Sequence, residues 1–369
     1  MDNLTHSLFG LTLARTPLGR AGRGTTAALL LASNAPDIDI VVTAGGSANY
    51  LAYHRGPTHG PLGVVGLAAA VAGVVWLSRR KPRANETEPT ASFLSMWAVS
   101  IVGIIGHILM DLPTSYGTRP LSPFSWTWFT TDWMPIVDVY LLVILGSMLW
   151  LGRGPHTDPT RAVRRRRYAA VALVLMAANY TVRAVSHHMA IARAASTFDN
   201  LLPAWCAEGV RPSGVLDWWP RPADADPRGL ASTQCLVEFA AMPDFVSPFR
   251  WRMIARLSDS YEVRDLDLLR SDDANAPGRR IQSTRVPNQW TPAVTTAARA
   301  PIAGVFLGFS RFPAARSVVA EDGTATVRWR DLRFLQTPRE DGRQFRDGLF
   351  GATVVVGPDG RILEDRLGP

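Results

Sequence analysis

Four of the seven histidines lie in the first 110 residues, each close in sequence to an aspartate or to another histidine. His107 and Asp111 are four residues apart, and so are Asp2 and His6. On a helix this spacing puts both side chains on one face, about 5–6 Å apart, as two ligands of one ion require. The two pairs are therefore candidates for metal binding.

Two shorter motifs add carboxylates and imidazoles to the same part of the chain. Asp37 and Asp39 follow the helix breaker Pro36, and in an extended segment both side chains would point the same way. His54 and His59 bracket a short loop with a turn between them. Imidazole and carboxylate together suit zinc, manganese or iron, and without thiolates an open site with a water position is favoured over structural zinc. The predicted metal ligands are His6, Asp37, Asp39, His54, His59, His107 and Asp111.

Each motif alone also has a structural interpretation. His6 can be a surface residue near a chain start, and the two aspartates of residues 37–39 can cap a helix. The histidines of residues 54–59 can lie in an exposed loop. His107 with Asp111 can form a hydrogen-bonded pair or a proton relay inside a membrane. Because four such motifs are present, we favour one shared metal site.

Long apolar runs dominate the sequence before residue 188. The uncharged run 61–78 nearly crosses a hydrocarbon core of ~30 Å at ~1.5 Å per residue. The comparable runs are 93–112, 134–152 and 168–186, with 25–43 and 4–19 as weaker ones. They predict an α-helical membrane domain over residues 1–187 with about five to six apolar helices, and a soluble bundle with a very apolar core is the alternative.

The net charge of +8 is carried almost entirely by arginine, since the chain has one lysine. Basic residues cluster at 79–83 and 161–167, which we interpret as cytoplasmic loops under the positive-inside rule. This pattern already explains the charge, so we expect no nucleic-acid binding. It also orients the helices so that every predicted ligand lies at the outer face, with residues 188–369 outside the cytoplasm.

Residues 188–369 are predicted to form a smaller, mostly-β soluble domain. Short β-like runs occur at 235–240 and 251–257, and turn signals at 321–323 and 357–360 predict two hairpins. Cys206 and Cys235 lie in this half and are predicted to be close enough for a disulfide if the compartment is oxidising. Two independent buried thiols are the alternative.

Several motifs, in the same order, resemble the family of inner-membrane metal-dependent hydrolases of the YdjM/YfhP type. They are Met1–His6, Pro36–Asp39, His54–His59 and Gly106–Asp111, the last continuing through Thr114–Thr118 and Pro123–Ser125. The resemblance implies a multi-pass protein of the bacterial inner membrane. It also implies a phospholipase C-like helical bundle, since the family is thought to be related to zinc-dependent phospholipase C and P1-type nucleases. Those enzymes hold a cluster of zinc ions with histidine and aspartate, and they use a processed amino terminus as a further ligand.

The expected activity is hydrolysis of a phosphoester or phosphodiester, such as a lipid or lipid-linked substrate, by metal-activated water. Asp37 or Asp138 is the predicted general base. Arg55 and Arg119 are predicted to hold the phosphoryl group, with anchoring at lipid headgroups as the alternative. Tyr116 is predicted to line the pocket or to lie at the membrane interface. The other functions considered are a membrane metal carrier or sensor and an inactive protein that binds partners through its soluble domain.

Overall fold

The computed structural model describes residues 1–79, 89–154, 160–198, 202–210, 215–220, 234–270, 284–334 and 350–368. The chain divides into two compact units. The first contains Met1–Val41, Arg55–Ser186 and Phe245–Pro248, and the second contains Val42–His54, His187–Asp244 and Phe249–Pro369. The N-terminal region is helical and the C-terminal region is mostly β, as predicted.

The N-terminal region is built from helices of very different lengths. α4 (Pro61–Arg79) and α5 (Phe93–Asp111) have 19 residues each, and α7 (Arg161–Ala192) has 32. The shorter ones are α1 (Asn3–Leu13), α2 (Thr25–Ala32), α3 (Ser47–Tyr53), α6 (Val139–Leu151) and α8 (Ala194–Thr197), together with 3-10 segments at Pro17–Arg20 and Ala35–Gly45 and a short strand β1 (Trp128–Thr130). Three of them, α4, α5 and α7, are long and apolar enough to cross a membrane.

The expected five to six apolar helices are not confirmed as a count of membrane spans. A fourth span is present only if α2 and the 3-10 segment Ala35–Gly45, bent by 45°, are taken as one. The run 4–19 is shortened because the helix ends at Leu13. The run 134–152 loses its first turn because Asp138 caps α6, which then has 13 residues. An apolar run thus overestimates helix length where a proline or capping residue interrupts it.

The prediction of a loop at 161–167 was wrong, because the arginine cluster there is helical. These residues form the first two turns of α7. At ~1.5 Å per residue, a helix of 32 residues is longer than a ~30 Å hydrocarbon core, so its basic start can extend beyond the apolar layer. Arg80, Lys81 and Arg83 of the other cluster lie outside the described residues.

Small residues let the helices that carry the site approach each other closely. Gly103 on α5 faces Ala32 at the end of α2, and a side-chain carbon added at Gly103 would lie 2.9 Å from the Ala32 Cβ. This close crossing of α2 and α5 brings Ser33, just after α2, beside the last turns of α5.

The start of α5 is set by Ser92. This residue is the N-cap, and its hydroxyl accepts from the backbone amide of Ser95 at 3.1 Å.

The second unit contains two antiparallel sheets, to one of which a parallel strand is added. The first has the order β2 (Trp205–Val210), β4 (Leu236–Pro243), β5 (Arg250–Leu257), β6 (Ser260–Asp267), β7 (Thr284–Pro287), with only the β2–β4 pair parallel. The second has the order β11 (Ile362–Leu367), β10 (Gly351–Val356), β9 (Ala325–Asp331), β8 (Pro313–Val319). The remaining elements are β3 (Asp217–Trp219), α9 (Pro292–Ala297), α10 (Pro301–Phe309) and a 3-10 turn at Leu332–Phe334.

The β-strand predictions made from the sequence are confirmed. The turn at 321–323 joins β8 to β9, and the turn at 357–360 joins β10 to β11. Cys206 and Cys235 form a disulfide with a Cα–Cα distance of 5.0 Å, which confirms their predicted proximity. These elements are encoded locally by alternating side chains and turn residues.

Candidate metal centre

Four predicted ligands from separate stretches of the chain come together in the first unit. Asp37, His59, His107 and Asp111 each offer one ligand atom, and these four atoms lie within 4.8 Å of one another. His107 Nε2 lies 3.4 Å from Asp111 Oδ2 and 3.6 Å from Asp37 Oδ1. His59 Nε2 lies 3.4 Å from the same Asp111 oxygen. We call these four residues the metal-binding group.

Three elements position this group. His107 and Asp111 occupy the last turns of α5, where their four-residue spacing puts them on one helix face. His59 lies two residues before the start of α4. Asp37 lies in the 3-10 segment Ala35–Gly45. The predicted convergence of residues distant in sequence is therefore present in the fold.

A backbone carbonyl fixes the tautomer of His107. Its Nδ1 lies 2.9 Å from the carbonyl oxygen of Ser33, which can only accept a hydrogen bond. Nδ1 therefore carries the hydrogen, and the Nε2 of the neutral ring presents a lone pair to the two carboxylates. This arrangement is typical of a histidine that binds a metal, whose second ring nitrogen donates to a backbone or carboxylate oxygen.

A three-residue hydrogen-bond chain orients His59 in the same way. The Thr58 hydroxyl donates to Asp39 Oδ2 at 3.1 Å, so its oxygen is left to accept from His59 Nδ1 at 3.0 Å. The Nε2 of His59 then also presents a lone pair, and it lies 3.2 Å from the Nε2 of His107. Two lone pairs at this distance repel each other unless a cation or a proton lies between them.

The chemistry of the group fits a divalent metal ion. Two imidazole lone pairs and two carboxylates converge in one small volume, three of the four residues fully or almost fully buried. Charged groups in such a place are costly unless they are paired or coordinate a metal. Histidine nitrogen with aspartate oxygen suits zinc, manganese and iron, so the donor set does not by itself specify zinc.

His6 lies at the edge of the group. Its ring stacks on His107 with centroids 3.8 Å apart, and its Nε2 lies 3.3 Å from Asp111 Oδ1. Both ring nitrogens are buried without a hydrogen-bond partner among the described residues. Burial first, and then the neighbouring His107, lower the pKa of His6 well below its usual value, so the ring is neutral at pH 7. The backbone nitrogen of Met1 also contacts Asp111 Oδ1.

Asp39 and His54 are predicted ligands that are not members of the four-residue group. The two aspartates would point the same way only in an extended segment, and the segment is a 3-10 helix. At about 120° per residue, alternate side chains of a 3-10 helix point in different directions, so Asp39 turns towards Thr58 and the amide of Arg55 (2.7 Å) while Asp37 faces His107. His54 belongs to the second unit, where its ring stacks on Tyr50 with centroids 4.4 Å apart.

The predicted phosphoryl-binding residues form a connected set beside the metal-binding group. Arg55 Nη2 donates to Asp111 Oδ1 at 3.1 Å, its Nη1 donates to the Gly117 carbonyl at 3.0 Å, and its guanidinium lies 4.8 Å from the centre of the Tyr116 ring. Arg119 donates its backbone amide to the Arg55 carbonyl at 3.1 Å. Both arginines are almost fully buried, so neither is a simple surface anchor for lipid headgroups.

Arg119 is held by aromatic rings. Its guanidinium lies 4.2 Å from the centre of the Trp128 ring and 4.9 Å from that of Trp126. Burial lowers the pKa of Arg119 to about 10, while Tyr116 and Asp39 oppose the shift. The side chain therefore remains a cation at neutral pH.

Comparison with known proteins identifies the family of the N-terminal half of the chain. A family model described as YdjM inner membrane protein matches residues 1–190. The chain belongs to this family. It is also similar to the uncharacterized protein YfhP of Bacillus subtilis (strain 168), at 26 % identity over 164 residues, which cover 42 % of this chain and 47 % of that relative. The match thus spans about half the length of the curated relative, and no solved structure matches with significance.

All residues of the metal-binding group lie within the part of the chain that the YdjM family model matches. So does Asp138, the other predicted general base. Its carboxylate accepts from the Leu141 amide at 2.9 Å as the N-cap of α6 and forms a buried ion pair with Arg183 at 2.7 Å. These contacts give Asp138 a structural role, and the metal-binding group does not include it.

Three residues that support the site were not found from the sequence. Ser33 acts through its carbonyl, which any residue type would supply. Thr58 lies inside the motif His54–His59 and was given no role, although a hydroxyl next to a histidine is a candidate to orient it. Thr114 accepts from Arg55 Nη1 at 3.0 Å and was noted only as part of the family motif.

Proposed function

We propose that the chain is a membrane-bound, metal-dependent hydrolase that acts on a phosphoester or phosphodiester of a lipid or lipid-linked substrate. The observation that carries the proposal is the metal-binding group itself with the guanidinium of Arg55 against it. Zinc is the proposed ion, because it suits histidine and aspartate and catalyses hydrolysis without redox chemistry. Membership of an inner membrane family and three to four candidate spans support a membrane location.

The residues divide into groups that hold the ion and groups that act on the substrate. An ion held by Asp37, His59, His107 and Asp111 supplies Lewis-acid activation of water and stabilises negative charge. The Asp37 side chain is the most accessible of the four, with 14 % of its surface exposed against 0 % for Asp111. We therefore assign Asp37 as the general base that takes a proton from attacking water. Arg55, and Arg119 behind it, provide positive charge for the phosphoryl group.

The position of the group favours an open hydrolytic site over a metal carrier. His107 and Asp111 lie in the last turns of α5, and His59 lies just before α4, so the ligands gather at the ends of candidate spans. A carrier places its ligands near the middle of the membrane with access from both sides. The carrier and the inactive partner-binding protein are outcomes of the test below.

We also propose a multi-pass topology with residues 188–369 outside the cytoplasm. The disulfide between Cys206 and Cys235 supports this orientation, since disulfides persist in oxidising compartments. A reporter that is active only in the cytoplasm, fused after the last residue, should remain silent. Strong activity of that reporter would reverse the orientation.

The decisive experiment compares His107→Ala with His188→Ala in protein purified in detergent. His188 is an exposed histidine outside the metal-binding group and provides the matched control. We expect bound metal and hydrolysis of bis(4-nitrophenyl) phosphate and phospholipid in the wild type and in His188→Ala, and loss of both in His107→Ala. A chelator should abolish hydrolysis in the wild type, and added zinc should restore it.

Two results would contradict the proposal. Metal retained at the wild-type level in His107→Ala would show that the group is not the metal site. Stoichiometric metal without hydrolysis of either substrate would favour the carrier or the partner-binding protein.

A further inference from the structure

The metal-binding group lies at the level where two candidate spans end. α5 ends at Asp111, and α4 begins at Pro61, two residues after His59. His59 Nε2 and Asp111 Oδ2 are 3.4 Å apart, so the start of α4 and the end of α5 are at the same side. If both helices cross the bilayer, this level is a membrane–water boundary.

The segment 121–126 is fixed at the same level. The carbonyl oxygen of Ser122 packs closely on Gly60, and a side-chain carbon added at Gly60 would overlap this oxygen. The amide of Ser122 donates to the Arg119 carbonyl at 3.1 Å, and the amide of Arg119 donates to the Arg55 carbonyl at the same distance. The segment is therefore tied to the start of α4 and to the arginine beside the metal-binding group.

This segment presents apolar side chains outwards. Leu121, Phe124 and Trp126 have exposed fractions of 48 %, 75 % and 41 %. On the 3-10 segment that carries Asp37, Ile38 and Ile40 are more than half exposed. We call these five residues the apolar rim. Both segments are tied to Arg55, one through Asp39 and the other through Arg119, and exposed apolar patches mark surfaces that bind a membrane or a partner.

Three features identify a lipid surface as the partner of the rim. Its segment 121–126 is tied to the start of α4, and α4 and α5 themselves carry exposed apolar side chains. Tryptophan, with an apolar ring and one polar N–H, is enriched at the boundary between headgroups and hydrocarbon. Arg119 is almost fully buried and is not a headgroup anchor, but its guanidinium, 4.9 Å from the Trp126 ring centre, favours the approach of an anionic phosphoryl group from this surface. A soluble protein partner would not require this coincidence with the span ends.

We propose that the apolar rim enters the boundary between the lipid headgroups and the hydrocarbon, so that the metal-binding group receives its substrate directly from the bilayer. The substrate class is then a lipid whose phosphoryl group lies at headgroup depth, approaching between Asp37 and Arg119. This inference rests on the proposed hydrolase function for its substrate, although the depth of the rim can be measured independently.

The depth of the rim can be measured with a single spin label. The chain has two cysteines, both in the disulfide, so Phe124→Cys would provide one free thiol for a nitroxide in the full chain in liposomes. Leu109→Cys, exposed on the apolar surface of α5, is the membrane reference, and Glu321→Cys, in the β8–β9 turn, is the aqueous reference. We expect the label at 124 to be accessible to oxygen and protected from a water-soluble nickel chelate, as at 109. Nickel accessibility equal to that at 321 would overturn the proposal.

The effect of the rim on catalysis needs a second comparison. Phe124→Ser should reduce hydrolysis of phospholipid in vesicles by about tenfold. This fold-change corresponds to the free energy of burying half to all of a phenylalanine side chain. Hydrolysis of bis(4-nitrophenyl) phosphate should be unchanged, and Leu363→Ser, an equally apolar change on an exposed strand, should affect neither substrate. An equal decrease on both substrates would contradict delivery from the bilayer. If the wild type hydrolyses neither substrate, the proposed function fails, and the spin-label depth still decides whether the rim enters the membrane.

Discussion

Removing the Thr58 hydroxyl should weaken metal binding although this residue is not a ligand. Thr58→Val keeps the shape of the side chain and removes only the group that accepts from His59 Nδ1 at 3.0 Å and donates to Asp39 Oδ2 at 3.1 Å. Asp39 keeps the Arg55 amide at 2.7 Å as a donor, so the main loss falls on His59. His59 Nδ1 then loses its acceptor at 3.0 Å, and Asp39 Oδ2 lies farther away at 3.8 Å, so the Nε2 lone pair is held less firmly towards the metal-binding group.

The expected magnitude follows from the cost of losing a partner that orients a ligand. Such changes typically reduce metal affinity by about 10–100-fold, which corresponds to roughly 1.4–2.7 kcal/mol. Removing the hydrogen-bond partner of a buried donor typically costs about 1–3 kcal/mol, which overlaps this range. Because the His59 N–H is buried, we expect a decrease of at least about tenfold.

Competition between the purified protein and a zinc chelator of known affinity measures this effect. Thr58→Ser keeps the hydroxyl and is the matched control, so it should bind zinc within about twofold of the wild type. A Thr58→Val variant with wild-type affinity would refute the hydrogen-bond chain as the element that orients His59. Equal weakening in both variants would also contradict the reasoning, because Thr58→Ser keeps the hydroxyl.

Two further predictions concern stability. Asp138→Asn keeps a good N-cap for α6 but removes the carboxylate that pairs with the buried Arg183. In thermal unfolding it should destabilise the first unit by about 3–5 kcal/mol, and a loss below about 1 kcal/mol would contradict the buried pair. Replacing Cys206 and Cys235 by serine opens a link between residues 29 positions apart and should destabilise the second unit by roughly 3–4 kcal/mol, whereas metal content should not change. Loss of metal together with the disulfide would refute the independence of the two features.

The sequence was sufficient for residues whose geometry is set locally. His107 and Asp111 were predicted to share a face because the long apolar run indicates a helix, and residues four apart lie on the same face of a helix. The hairpins around Gly323 and Gly360 were predicted because alternating side chains and turn residues act over a few positions. In these elements the local preference and the final fold agree.

The sequence was insufficient where packing selects the conformation. The segment with Asp37 and Asp39 can be extended or helical. In its 3-10 form the two carboxylates point in different directions, so that Asp37 is a candidate ligand and Asp39 binds Thr58, which orients His59. The contact of His107 with Ser33 depends on the close crossing of α2 and α5 at Gly103, which one sequence does not reveal. The predicted number of spans is not confirmed, because hydropathy counts apolar residues and does not detect a break such as the one between α2 and the 3-10 segment.

The charges in the site link the two parts of the proposed function, a bound divalent ion and an anionic substrate. With hydrogens on Nδ1, the two histidines would bind an ion as neutral ligands through Nε2, so the formal charge around the ion would come from Asp37, Asp111 and the Arg55 guanidinium. Two carboxylates and one guanidinium leave one net negative charge in a buried place, which is unfavourable without a counterion. A divalent ion reverses this to one net positive charge, and a phosphodiester then restores neutrality. Binding of the ion and binding of the substrate are in this way linked by electrostatics, and an apo protein should bind a phosphodiester more weakly than the metal-loaded form.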